Sequence, residues 1–117
     1  MEFDSNKAIY LQIIDALCDR VLSGELKAED RIPSVREYGA EIGVNPNTVA
    51  RSYEKLSDSG IIYNKRGIGY FIAEGAKDAI LQNAKKQFLD EELPKFVDRA
   101  KLLGLSLEEI TAEMQKH

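Results

Sequence analysis

Two short stretches of this chain concentrate groups that can hold a nucleic acid. The first reads Asn45-Pro46-Asn47-Thr48, followed after Val49 by Ala50-Arg51. Amide, hydroxyl and guanidinium groups of this kind pair with base edges and with phosphate oxygens. If a helix begins at Pro46, its free amides also favour a phosphate. The second stretch, Lys65-Arg66-Gly67, is a basic knob suited to a neighbouring groove or to the backbone. Taken alone, a basic pair in a turn is usually just a solvated turn, and Arg36 could simply pair with Glu37 or Glu41. Order and spacing carry the information.

Other chemistries lack their parts. The only histidine is the terminal His117 and the only cysteine is Cys18, so no Cys–His or Ser–His pairing forms inside a fold. No phosphate-binding glycine loop is present. No enzyme activity, cofactor or metal site is expected. Cys18 lies among Ile14, Leu17 and Val21 on an apolar helical stripe and reads as a small buried hydrophobe.

The elements that must carry the two stretches follow from periodicity and punctuation. Tyr10, Ile13, Ile14, Leu17, Cys18 and Val21 recur at helical spacing, predicting a first helix from about Ala8 to Ser23 that stops at Gly24. Leu26 to Ile32 is a polar connection with room for a short strand. Ser34 and Glu37 form a capping box for a second helix that Gly43 ends near Ile42. Asn45 caps a third helix with Pro46 at its first position. Val49, Tyr53 and Leu56 form its inner stripe, and Gly60 ends it. Tyr53 therefore reads as a core residue rather than a platform for a base. Ile61 to Lys65 and Tyr70 to Ala73 flank Arg66-Gly67-Ile68-Gly69 and predict a β-hairpin, with Gly69 a backbone requirement of the turn. Helix, short helix, tight turn, helix and hairpin form a winged helix-turn-helix, whose third helix enters the major groove by its N-terminal end.

Charge at first argues against this reading, because the net charge is −4. From Arg31 to Ile72, however, six basic residues (Arg31, Arg36, Arg51, Lys55, Lys65, Arg66) face four acidic ones (Glu37, Glu41, Glu54, Asp58), a local net of +2. DNA affinity depends on the local face. Hydrophobic residues are 44% and charged residues 31% of the chain, a globular composition. No apolar run approaches the roughly 20 residues of a membrane span. The acidic start Met1-Glu2-Phe3-Asp4 is unlike a signal peptide, so a cytoplasmic protein with no membrane partner is expected.

After Gly75, apolar residues from Ile80 to Leu103 recur at helical spacing. Pro94 interrupts the run and should kink it or start a new helix near Glu92. Gly104 stops it. Ser106 and Glu109 open a last helix with Leu107, Ile110 and Met114 inward. Phe88, Phe96, Leu103, Leu107, Ile110 and Met114 then form a stripe on helices too few to bury it, so a surface shared between two chains is expected.

The runs Ile32-Pro33-Ser34-Val35-Arg36-Glu37, Val44-Asn45-Pro46-Asn47-Thr48-Val49, Arg51-Ser52-Tyr53-Glu54-Lys55-Leu56 and Gly60-Ile61-Ile62 closely resemble the GntR family of bacterial regulators. Tyr10, Gln12 and Ile13, with Gly67, Gly69 and Phe71 in the wing, match as well. The resemblance covers about residues 8 to 74. The tail, with Phe88-Leu89, Glu91-Glu92-Leu93-Pro94 and Ala100-Lys101-Leu102-Leu103-Gly104, resembles the small YtrA-type subfamily. The resemblance implies a homodimer on a two-fold symmetric operator in double-stranded DNA. It implies DNA contacts by Arg36, Asn47, Thr48 and Arg51, and by the wing residues Lys65, Arg66, Gly67 and Gly69. It also implies dimerisation through the tail, often at transporter operons.

Three departures stand out. Many relatives have Pro-Gly where this chain has Ala28-Glu29, and many have Leu-Ala where it has Tyr38-Gly39. Gly within a helix costs about 1 kcal/mol against Ala, so Gly39 suggests a close helix approach. Other branches carry Arg at the position of Ala50, which leaves Arg51 as the basic reader.

The expected architecture is mainly α with a small β-hairpin. Residues 1–75 form a winged helix-turn-helix and residues 76–117 a short helical dimerisation tail. The expected function is a sequence-specific transcription regulator, a repressor. The tail leaves little room for an effector pocket, so any small molecule would bind between subunits. One alternative is a winged-helix protein-interaction module without specific DNA binding. Another is the DNA-binding half of a longer regulator with an aminotransferase domain, against which the capped last helix suggests a complete chain.

Overall fold

The computed structural model describes residues 1–117. Two compact units, Met1–Leu81 and Gln82–His117, make up the chain. In the first, helix α1 (Ile9–Leu22) is followed by strand β1 (Arg31–Ile32), helices α2 (Val35–Ile42) and α3 (Pro46–Asp58), and strands β2 (Ile62–Lys65) and β3 (Gly69–Ile72). Helix α4 (Ala76–Gln87) begins in this unit and ends in the next.

Helix α1 buries Ile13, Leu17 and Val21, one residue per turn on one stripe. They meet Val49, Tyr53 and Leu56 of α3, with Ile32, Ile62 and Ile72 closing the core from the sheet. Full burial of such side chains stabilises by about 1.5–3 kcal/mol each. Tyr53 is a core residue, as its spacing predicts. Its ring meets Tyr70 edge-on at 4.9 Å, and its hydroxyl donates to the Pro33 carbonyl at 2.7 Å. Burial pushes this phenol above its ordinary pKa. Cys18 is half-buried, and burial moves its thiol up to about 11.

The hairpin extends into a three-stranded antiparallel sheet, order β1-β3-β2. The connection before α2 therefore does contain a strand, with Arg31 opposite Phe71 and Ile32 opposite Tyr70. Glu29 leads into it with φ +71°, the sole non-glycine residue at positive φ. Glycine takes this conformation most readily. Here the turn closes by other bonds: the Glu29 N–H donates to Ile72 O at 2.8 Å, and the Tyr63 hydroxyl donates to the Glu29 carboxylate. Ala76 and Ile80, in the first turns of α4, are buried in the same core.

The second unit contains the end of α4, a π-helical turn (Phe88–Glu92), α5 (Leu93–Leu102) and α6 (Leu107–Met114). Pro94, second in α5, has no N–H to give and crowds the preceding turn. The wide turn relieves this, with the Leu93 N–H donating to Phe88 O. Gly104, at φ +73°, closes α5, and Leu105 N–H donates to Ala100 O at 3.0 Å, a Schellman end. Ser106 and Glu109 cap α6 reciprocally, as expected. The inward placement expected for α6 is corrected: Leu107 and Met114 are 79% and 68% exposed, and only Ile110 is half-buried. The unit is too thin to surround both sides of α6. No helix is long and apolar enough to cross a membrane.

Candidate nucleic-acid interface

Local sequence sets the start of α2. Ser34 accepts from the Glu37 amide at 3.1 Å, and Glu37 accepts from the Ser34 amide at 3.2 Å, the capping box expected. Hydrogen bonding of its carboxylate by the Ser34 side chain first, and by the Ser34 amide next, holds the Glu37 carboxyl below its ordinary pKa. With Glu37 so engaged, Arg36 forms no ion pair and is exposed. The structure thus contains neither of the Arg36 pairings with Glu37 or Glu41 that sequence leaves open.

The turn between α2 and α3 depends on two glycines. Gly43 takes φ +72°, and Val44 N–H returns to Gly39 O at 2.8 Å. Gly39 is buried, and a Cβ there would lie 2.7 Å from the Val44 carbonyl oxygen. The close approach suggested by glycine in a helix is therefore present, and it brings the start of α3 down onto α2.

At that start, Asn45 Oδ1 accepts from the Asn47 amide at 2.8 Å, Thr48 N–H donates to Asn45 O at 3.0 Å, and Pro46 has no N–H. The expectation of free amides for a phosphate fails here, because the cap and the proline consume them. What α3 offers a nucleic acid is therefore its side chains. Val49, Ser52, Tyr53 and Leu56 face the core. Asn47, Ala50, Arg51 and Glu54 are exposed, and Thr48 is half-buried. Arg51 is not adrift in solvent: its guanidinium lies 3.7 Å from the centre of the Tyr10 ring on α1.

In the wing, Lys65 pairs with Gly69 across the hairpin. Ile68 N–H donates to Lys65 O at 2.9 Å, and Gly67 takes φ +80°, the pattern of a type II turn. Gly69 takes φ +140°, and a Cβ there would stand 3.1 Å from Arg31 Nε. It is a backbone requirement, as expected, with Arg31 laid against it. Lys65 sits 4.8 Å from the Phe71 ring centre, and Arg66 is exposed. Ala50 and Glu54 of α3 share one groove with Tyr63, Asn64 and Tyr70 of the sheet.

The ion pairs of this chain join Lys7 to Asp15, Arg20 to Glu25 and Lys116 to Glu113. None involves Arg31, Arg36, Arg51, Lys65 or Arg66, so these cations, like Lys27, Lys55 and Lys77, keep their charge unneutralised by a partner side chain. Sequence alone counts Arg31 only in the local charge, because a two-residue strand leaves almost no periodic signal, and reads Tyr10 only as a member of the first helix's stripe and as a family match. No three His, Cys, Asp or Glu side chains gather where they could hold a metal.

Comparison with known proteins agrees with this geometry. The family described as bacterial regulatory proteins, gntR family, matches residues 9–72. The HTH-type transcriptional regulator YhcF of Bacillus subtilis is 43% identical over 109 residues, covering 93% of this chain and 88% of YhcF. The HTH-type transcriptional repressor YtrA of the same organism is 38% identical over 106 residues, covering 91% and 81%. A GntR-family regulator from Bacteroides thetaiotaomicron superposes with TM-score 0.83 at 50% identity, over 93% of this chain and 95% of its own. YtrA from Sulfolobus acidocaldarius, a GntR-family transcription factor, does so with TM-score 0.60 at 30% identity, over 99% and 92%. A winged helix-turn-helix with unpaired cations, matched by these relatives along nearly its whole length, places the chain in the GntR family, among its YtrA-like members, as a DNA-binding transcription regulator and not an enzyme.

Proposed function

We propose that the chain acts as a repressor, a homodimer that binds a two-fold symmetric operator through residues 1–75 and pairs through residues 76–117. In this reading α3 enters the major groove. Asn47, Thr48 and Arg51 contact bases or nearby phosphates, Arg36 holds phosphate, and Lys65, Arg66, Gly67 and Gly69 bring the wing to the adjacent backbone. The repressor assignment follows the B. subtilis YtrA likeness.

The observation that carries the dimer is the uncovered apolar surface of the second unit. Phe88, Phe96, Leu103, Leu107 and Met114 are all exposed. Phe96, Ile110 and Met114 line a shallow hollow with Leu105. Contiguous apolar surface of this kind marks an interaction site, and a second copy covers it by two-fold symmetry. A small-molecule effector has its natural place between subunits rather than within one.

Sedimentation of the full chain at tens of micromolar tests the dimer. The parent should be dimeric, and Leu107→Lys with Met114→Lys should shift it toward monomer and weaken operator binding. A monomeric parent refutes the proposal. The operator itself is found by footprinting the upstream region of the protein's own operon. Arg36, Arg51, Lys65 and Arg66 in two copies suggest a slope of log K against log salt of roughly −5 to −7. A flat response favours the protein-interaction module instead.

A further inference from the structure

The stack of Arg51 on Tyr10 has a chemistry of its own. The guanidinium lies 3.7 Å from the ring centre, close enough for a cation–π contact. A stacked guanidinium presents its N–H groups at its edge, and no ion pair or side-chain hydrogen bond within the chain uses them. Tyr10 is itself firmly mounted. Its carbonyl accepts from the hydroxyl of Ser52 at 2.8 Å, and Ser52 is fully buried and next to Arg51 in sequence. On the other side, Gln12 ties the first turn of α1 to the preceding segment, donating to Asp4 O at 2.6 Å and Lys7 O at 2.8 Å and accepting from the Asp4 amide at 2.7 Å. The backbone that carries the ring is thus fixed beside the third helix, and the guanidinium lies on the ring with its donors free.

We propose that Tyr10 is a positioning residue for DNA recognition: its ring holds the Arg51 guanidinium in the orientation that meets the operator. An arginine side chain gives up much rotamer freedom when it binds. Tyr10 removes that freedom before DNA arrives, so the contact costs less when it forms. The inference rests on the proposed role of Arg51 and adds the residue that makes the contact efficient. It also accounts for a recognition helix that has one outward arginine and no free amides at its start.

The test compares Tyr10→Phe, which keeps the ring, with Tyr10→Leu and Tyr10→Met, which fill the space without a π-face. Each is made in the parent and in an Arg51→Ala background, and binding to operator and to random DNA is measured well below every melting midpoint. Tyr10→Phe should bind like the parent. The two aliphatic variants should lose about two- to fivefold in operator affinity. In the Arg51→Ala background that loss should vanish, since coupled residues are non-additive, whereas a general structural defect would persist. Should Tyr10→Leu fail to fold, the Met and Phe variants carry the comparison. Aliphatic variants that bind as tightly as the parent, or more tightly because the stack must break to reach DNA, overturn the proposal. So does a loss that survives in the Arg51→Ala background. If Arg51→Ala alone leaves operator binding unchanged, the role of Arg51 falls and the positioning role falls with it.

Discussion

Gly39→Ala puts the packing of α3, the proposed DNA-reading helix, to a quantitative test. By helix propensity alone, alanine at this interior position of α2 should stabilise by about 1 kcal/mol. The geometry opposes it. The new methyl carbon would lie 2.7 Å from Val44 O, 3.5 Å from Pro46 N and 3.6 Å from Pro46 Cα. All three are backbone atoms, so no side chain can swing aside. Separating the first pair to ordinary contact requires moving the α2–α3 turn by several tenths of an ångström. Overpacking of this kind costs about 1–3 kcal/mol, which leaves a net loss of about 1 kcal/mol after the propensity gain. That corresponds to a fall of about 4 °C in the melting midpoint. Because Pro46 begins α3, the strain should also displace Asn47 and Arg51 and reduce the ratio of operator to random-DNA affinity. Gly43→Ala is the control: φ is +72° but nothing lies within 4 Å of its would-be Cβ. It should cost about 1 kcal/mol through backbone strain and leave that ratio alone. Calorimetry and competition binding read both quantities. A Gly39→Ala protein that melts at or above the parent temperature with unchanged discrimination would refute the close approach and the argument built on it.

Three other expectations follow from the site. Asn47→Ala and Arg51→Ala should each cost about 1–3 kcal/mol on the operator and relax its specificity, while Lys65→Ala and Arg66→Ala should weaken operator and random DNA alike and flatten the salt slope; unchanged binding to both DNAs by folded Asn47→Ala and Arg51→Ala would reject the assignment. The Glu37 carboxyl is held below its ordinary pKa by Ser34, so its contribution is present above the unfolded-state value of about 4.3 and lost as pH falls through the folded one; Glu37→Gln should show a smaller drop in melting temperature between neutral pH and pH near 3, and an identical drop would contradict the capping argument. Cys18, with its thiol at about 11, carries thiolate in only about one molecule per thousand at pH 8, so alkylation of the folded protein should be far slower than of the urea-unfolded chain.

What could be read from the sequence was mostly local. The capping box at Ser34 and Glu37, the stop at Gly43 and the cap and proline at Asn45 and Pro46 act within a few residues, and all lie where their chemistry puts them. Tyr53 could be assigned to the core because its neighbours at helical spacing are apolar. What stayed hidden depends on distant partners. Strand β1 exists because Arg31 and Ile32 meet Phe71 and Tyr70, and two residues have no period to detect. Arg51 finds Tyr10 across two helices, which no spacing rule contains. The free amides expected at α3 are absent for a local reason: the same Asn45 that starts the helix also uses up its donors. For α6 the apolar stripe is legible in the sequence, but its direction is not. Periodicity shows that Leu107 and Met114 share a face, and it is silent on whether that face meets this chain or another.

The π-helical turn at Phe88–Glu92 has a consequence for how this tail tolerates changes in length. An α-helix advances about 100° per residue, and a π turn absorbs one residue more than an α turn. Removing one residue here, Asp90 for instance, would restore ordinary pitch and leave Phe96, Ala100 and everything beyond facing nearly as before. The cost would fall on Pro94, whose ring would again crowd the turn before it. The same deletion inside the regular part of α5 would instead turn every later side chain by about 100°. Single-residue gaps among relatives should therefore fall in the π-helical turn rather than within α5.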